Sequence, residues 1–107
     1  MDAYFTALDT DAFDAVRPAL SEGVRFRSSA GDTEGVDEFR EYLEEQRMVE
    51  DSLHEITRQI HHSDASVCEG LVSGETPDGR VEGAFCDVFE FAPDDELITS
   101  ISVYTRL

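Results

Sequence analysis

Not one of the 107 residues is lysine, and the positive charge rests on eight arginines against 25 Asp and Glu. A net charge of −17 excludes nucleic acid and anionic membrane as partners, since both require a positive footprint. No stretch approaches the ~20 consecutive apolar residues of a membrane span. Cys68 and Cys86 are the only cysteines, too few for a disulfide scaffold, and both are expected to be small core residues in a reducing compartment. The opening "MDAYFTALDT" lacks the basic n-region of a secretory leader, so a soluble cytoplasmic protein is expected. His61 and His62 have no cysteine or carboxylate at metal-ligand spacing, and neither a metal nor a cofactor is expected. Repeats, linkers and low-complexity tracts are likewise missing.

What is present is a dispersed acidic surface over an adequate core. Apolar residues make up 40% of the chain, and a single domain over residues 1–107 can bury roughly 60–70% of its unfolded surface. Scattered carboxylates with lysine eliminated resemble the proteins of salt-in halophiles, archaea above all, where high salt screens self-repulsion. The expected outcome is a fold that loses stability as salt is lowered. Thermal melting from molar to millimolar salt checks this, and a flat melting temperature would contradict it.

Hydrophobic spacing divides the chain in two. Tyr4, Phe5 and Leu8 share a helical face over residues 2–10. Asp11 can cap a second helix carrying Phe13, Val16 and Leu20, with Pro18 kinking or ending it and Gly23 as a stop. "VRFRSS" alternates as a short strand, and "AGDTEG" reads as a turn. Val36, Phe39 and Leu43 then mark a third helix whose Glu41, Glu44 and Glu45 form a solvated face. From residue 52 the period becomes two, giving four strands with turns at Ser63-Asp64, Pro77-Asp78-Gly79 and residues 93–96. The order α-α-β-α-β-β-β-β with short turns predicts an α+β fold. Three N-terminal helices should pack on a strongly curved antiparallel sheet enclosing a pocket.

One stretch breaks the expected partition of charge. In "GAFCDVFEF", residues 83–91, Asp87 shares a period-2 face with Phe85, Phe89 and Phe91. A carboxyl group among aromatic rings is costly to ionise, so its pKa should rise, and a neutral acid can donate a hydrogen bond.

The opening "YFTALDTDAFDAVRPALSEGVRFRS", the strand "DVFEF" and the element order resemble the SnoaL-like branch of the nuclear-transport-factor-2-like superfamily of cone-shaped α+β domains. The resemblance spans nearly the whole chain. It implies a deep, mostly apolar pocket closed by the helices, with an outer sheet face that pairs two subunits. Steroid isomerases, polyketide cyclases, dehydratases, epoxide hydrolases and non-catalytic domains all belong to this superfamily. Two readings therefore stand: an isomerase, cyclase or lyase-type enzyme acting on an apolar small molecule without a cofactor, or a non-catalytic ligand-binding or dimerisation module. A protein-binding adaptor has no support beyond the fold.

Similarity to the steroid isomerases implies that Asp87 is an oxyanion hydrogen-bond donor and Tyr4 its partner. The isomerase base position falls on Ser28, beside Ser29, and serine cannot take a substrate proton without a base of its own. His54, expected to share a face with Ile56, Arg58, Ile60 and His62, can supply that base, paired with Asp87. The catalytic candidates are thus Asp87, His54 and Tyr4. Ser28, Arg58, Phe85, Phe89, Ser102 and Tyr104 are the ligand-binding candidates, with Ser100, Ser102 and Tyr104 expected on the pocket face. Ile101 and Val103 are expected outward, with Val88, as a homodimer contact. Each candidate also has a structural reading: Asp87 could hydrogen-bond Tyr4 to hold helix against sheet, His54 could be a satisfied core histidine, and Arg58 and Arg25 could be ion-pair partners.

Overall fold

The computed structural model describes residues 2–47 and 49–106. Leu107, at the end of the stretch "LITSISVYTRL" expected as the last strand, lies outside them. Helix α1 spans Asp2–Thr10, strand β1 Leu20–Ser28, β2 Gly31–Glu34 and helix α2 Val36–Glu41. Strands β3 (Glu50–His61), β4 (Ala65–Thr76), β5 (Gly79–Phe91) and β6 (Ile98–Arg106) follow. The six strands form one sheet in the order β2-β1-β6-β5-β4-β3.

Two helices are present among the described residues where three were expected. The segment read as the second helix instead makes two 3₁₀ turns, Phe13–Ala15 and Arg17–Ala19, and turns extended at Leu20. Pro18 accounts for this, because its ring removes a donor and clashes with the carbonyl four residues back. Asp11 caps nothing: it sits at φ 53°, and no side chain caps the first turn. Phe13 and Val16 still reach the core, each at most 5% exposed. The "AGDTEG" turn is also more than a turn, since residues 31–34 form β2 in a hairpin with β1.

The sheet is not wholly antiparallel. Strands β3 to β6 form the expected meander, but β6 returns beside β1 in parallel, pairing Phe26 with Ile101. Tyr4, Phe5 and Leu8 of α1 then meet Phe85 and Phe89 of β5 across the sheet's inner face, with Phe26, Phe39 and Ile101 completing the core. After α2 the chain continues in a wider turn over Tyr42–Gln46, closed by a 2.8 Å bond from the Arg47 N–H to the Tyr42 carbonyl.

Curvature comes from two glycines on β4. At Gly70 an added Cβ would strike the Glu55 carbonyl and come within 2.9 Å of two Phe85 ring carbons. At Gly74 it would meet the Val49 side chain and approach the Glu50 carbonyl at 3.2 Å. Side chains at either position would push β3 away from β4, so glycine permits the fold-over that makes the sheet a cone. A bulge helps: Ile56 opposes Gly70 while Arg58 opposes the adjacent Glu69, leaving Thr57 unpaired and reversing the facing of β3 beyond it.

Candidate functional site

The inner face of the cone encloses a cavity of about 180 Å³. Residue Tyr4 of α1, His54 of β3, Phe85 and Asp87 of β5, and Val103 and Thr105 of β6 line it. Ser28, Ser29 and Ala30 of the β1–β2 turn and Tyr42, Leu43 and Arg47 from the end of the α2 segment complete its wall. The volume lies below the ~300 Å³ at which drug-sized ligand sites begin. A ligand that fits is small.

Asp87 is 2% exposed, and its Oδ1 has no hydrogen-bond partner among the described residues. Burial alone pushes its carboxyl up to about 7, so near neutral pH the group is divided between acid and carboxylate. Tyr4, 2% exposed, packs edge-on against Phe89 at 5.4 Å. Burial holds its phenol well above the ordinary value, with the Asp87 charge adding to the effect. The expected Tyr4–Asp87 hydrogen bond is not among the bonds of the described residues. The two groups line the same cavity.

His54 is held by a residue that the sequence reading missed. Its Nδ1 lies 2.6 Å from Oδ1 of Asp9, in the last turn of α1, and its backbone N–H donates to Asp9 Oδ2 at 3.0 Å. Ser52 Oγ donates to Asp9 Oδ1 at 2.9 Å and to the Leu8 carbonyl at 3.2 Å. The His54 ring packs between Phe5 and Phe85, each at 5.2 Å between centroids. Burial lowers its pKa, Asp9 opposes that, and the Arg47 charge lowers it further. Neutral His54 must then carry its proton on Nδ1, because a carboxylate can only accept. Nε2 is left as a basic lone pair with no partner among the described residues.

Asp9 leaves one legible trace in the sequence. A carboxylate in the last turn of a helix faces the negative end of the helix dipole, so it requires donors from elsewhere. Those donors are Ser52 and His54, more than 40 positions away.

The remaining candidates divide. Ser28 and Phe85 line the cavity. Phe89 does not; it is fully buried beneath Tyr4 and Phe5 as core. Arg58 is turned outward by the bulge at Thr57, with a 70% exposed side chain 3.9 Å from Glu69. Ser102 and Tyr104 lie on the outer face, where Tyr104 is 62% exposed, whereas Ile101 is buried and Val103 lines the cavity. The alternation on β6 was right and its phase reversed, because the apolar pair fills the side that must be dry. Cys68 is buried across from Asp87. Burial, reinforced by the Asp87 charge, pushes its thiol up to about 11, which leaves it protonated and unreactive.

A curved sheet closed by helices around a cavity is the nuclear-transport-factor-2-like fold. The model of the SnoaL-like domain family matches residues 1–101, and the chain belongs to that family. Among solved structures, an LEH-like epoxide hydrolase of M. tuberculosis superimposes with a TM-score of 0.80 at 24% identity, over 98% of this chain and 78% of that one. An NTF2-like protein of unknown function from Burkholderia pseudomallei gives 0.84 at 15% identity, over 98% and 86%. A protein of Jannaschia sp. CCS1, provisionally assigned as a SnoaL-like polyketide cyclase, gives 0.79 at 15%, over 97% and 83%. No curated protein matches the sequence significantly. At these identities the likeness is one of fold.

Proposed function

We propose that this chain is an acid–base enzyme acting on a small, largely apolar molecule, in an isomerase, cyclase or lyase type of reaction. The observation that carries the reading is the 2.6 Å Asp9–His54 contact beside a cavity that also holds Asp87 and Tyr4. Asp9 fixes the imidazole tautomer, so Nε2 can take a proton from carbon next to a carbonyl. The electron pair moves onto the carbonyl oxygen, where neutral Asp87 and the Tyr4 hydroxyl donate hydrogen bonds. The epoxide-hydrolase and cyclase descriptions of structural relatives are compatible with a site of this kind.

Deuterium incorporation into a panel of small cyclic ketones in D₂O, followed by mass spectrometry, tests the proposal. The native protein should accelerate exchange for at least one ketone, and His54→Gln should lose 10²–10⁴-fold of that rate. Equal rates in the two proteins, or a ketone shown to bind without exchanging, would remove the catalytic reading in favour of a non-catalytic ligand-binding module.

We further propose a homodimer through the outer sheet face, in a cytoplasmic, salt-rich setting. In support, Leu53, Ile60, Leu71 and Tyr104 are each more than half exposed on that face, and Val88 is turned toward it. A stable interface needs about 800 Å² per partner. Sedimentation at tens of micromolar in high salt should show the dimer, and a monomer would disprove it.

A further inference from the structure

Arg47 differs from the other arginines in what surrounds it. Arg17, Arg40, Arg58 and Arg80 each lie within 4.0 Å of a carboxylate, and Arg25, Arg27 and Arg106 project into solvent. Arg47 is half-buried in the wall shared by the inner cavity and an outer groove that also contains Arg40 and the carboxylates of Asp11, Asp14, Glu44, Glu50 and Asp51. None of these carboxylates pairs with it among the described residues. Its one side-chain hydrogen bond among the described residues is from Nη1 to the Leu8 carbonyl at 3.3 Å, which leaves most of a five-donor guanidinium uncommitted. Among the described arginines, Arg47 alone lines the inner cavity. Its charge is felt by both Tyr4 and His54, which puts it electrostatically within the same site.

We infer that the cavity takes a small apolar monocarboxylic acid, whose carboxylate is received by Arg47 while its hydrocarbon part enters toward Phe85 and Val103. The planar fork of a guanidinium matches a carboxylate in two parallel hydrogen bonds. One cation balances one negative charge, which favours a carboxylate over a phosphate dianion. The cavity's size admits about one six-membered ring beyond the head group. The wall is otherwise neutral or apolar apart from Asp87, so the acid would enter with its charge at the Arg47 end. This inference names the substrate class of the site proposed above and rests on the same cavity.

Cyclohexanecarboxylate and its uncharged isostere cyclohexanecarboxamide, titrated calorimetrically into the protein at pH 7.5, test it. The acid should bind at least tenfold more tightly than the amide, Arg47→Gln should abolish that preference, and Arg47→Lys should retain part of it. Equal affinities in the native protein overturn the inference even if a variant fails to fold, and a preference that survives in Arg47→Gln also overturns it. His54→Gln separates this from the catalytic proposal. An acid preference kept in that variant supports the inference whatever the ketone exchange experiment returns, whereas exchange without any acid preference leaves the catalytic reading standing and removes this one.

Discussion

Asp87→Asn is expected to stabilise the protein above pH 7 by up to about 4 kcal/mol, and to leave stability unchanged near pH 3.5. In the unfolded chain the carboxyl ionises near 3.8, and in the fold burial moves this to about 7. Below the lower value both states are protonated and Asp87 has no pH-dependent effect. Between the two, the unfolded state has released its proton while the folded state keeps it, so rising pH favours unfolding. At about 1.4 kcal/mol per pH unit the folded state loses about 4 kcal/mol across this window, and above pH 7 the loss is complete. Asparagine cannot ionise and keeps the shape, so the variant escapes that penalty. Melting temperature against pH for the native protein and the variant reads the difference directly, with the many exposed carboxylates cancelling between the two. A difference that stays flat from pH 3.5 to pH 8, or a carbon-13 titration of Asp87 near the ordinary value of about 3.9, would contradict the buried-acid argument. Asp87→Leu sharpens the result. Because no hydrogen bond joins Tyr4 to Asp87, leucine orphans no hydroxyl and removes the unpartnered Oδ1. It should therefore be tolerated by the fold while ending any proton donation. A residue that destabilises its own fold at neutral pH fits a functional site better than a structural one.

Asp9→Ala carries the opposite expectation. It removes the acceptor for the Ser52 hydroxyl, the His54 backbone N–H and His54 Nδ1 together. Each buried donor left unpaired costs about 1–3 kcal/mol. Asp9 is 20% exposed at its side chain and Ser52 retains the Leu8 carbonyl, so about 2–4 kcal/mol is expected. For a domain of this size that lowers the melting temperature by about 10–25 °C. Asp9→Asn should cost less, since its amide oxygen can still accept from Nδ1. Losing the negative charge removes what holds the His54 pKa up against burial and Arg47, so that pKa should fall further below the ordinary value. Nitrogen-15 shifts of the imidazole separate positioning from packing: the native protein and Asp9→Asn should show the proton on Nδ1, and Asp9→Ala a mixture of tautomers. Identical tautomers and an identical His54 pKa in all three proteins would reduce Asp9 to an ordinary structural contact.

The class of fold was legible because it rests on local periodicity. Apolar residues at three- and four-residue spacing placed α1 and α2, and alternation placed β3 to β6. The aromatic stripe around Asp87 identified the buried acid without reference to any other strand. Three things were decided only by tertiary contacts. Period two assigns two faces to a strand but not which of them is wet, and β6 therefore came out reversed until Ile101 and Val103 met the core. A single unpaired residue at Thr57 turns over everything beyond it, so Arg58 left the pocket face that His54 kept. The base's partner was hidden for a third reason: Asp9 and His54 are 45 positions apart, and no local pattern links a helix end to the strand that folds back on it. Sequence alone determined α1, α2, the strand β1, the strands β3 to β6 and that one carboxyl would be buried. Pro18 and the β1–β2 pairing undid the second helix and the turn read at residues 30–35. Which carboxylate holds the histidine depends on the angle at which α1 crosses β3, and that is set by packing across the whole cone.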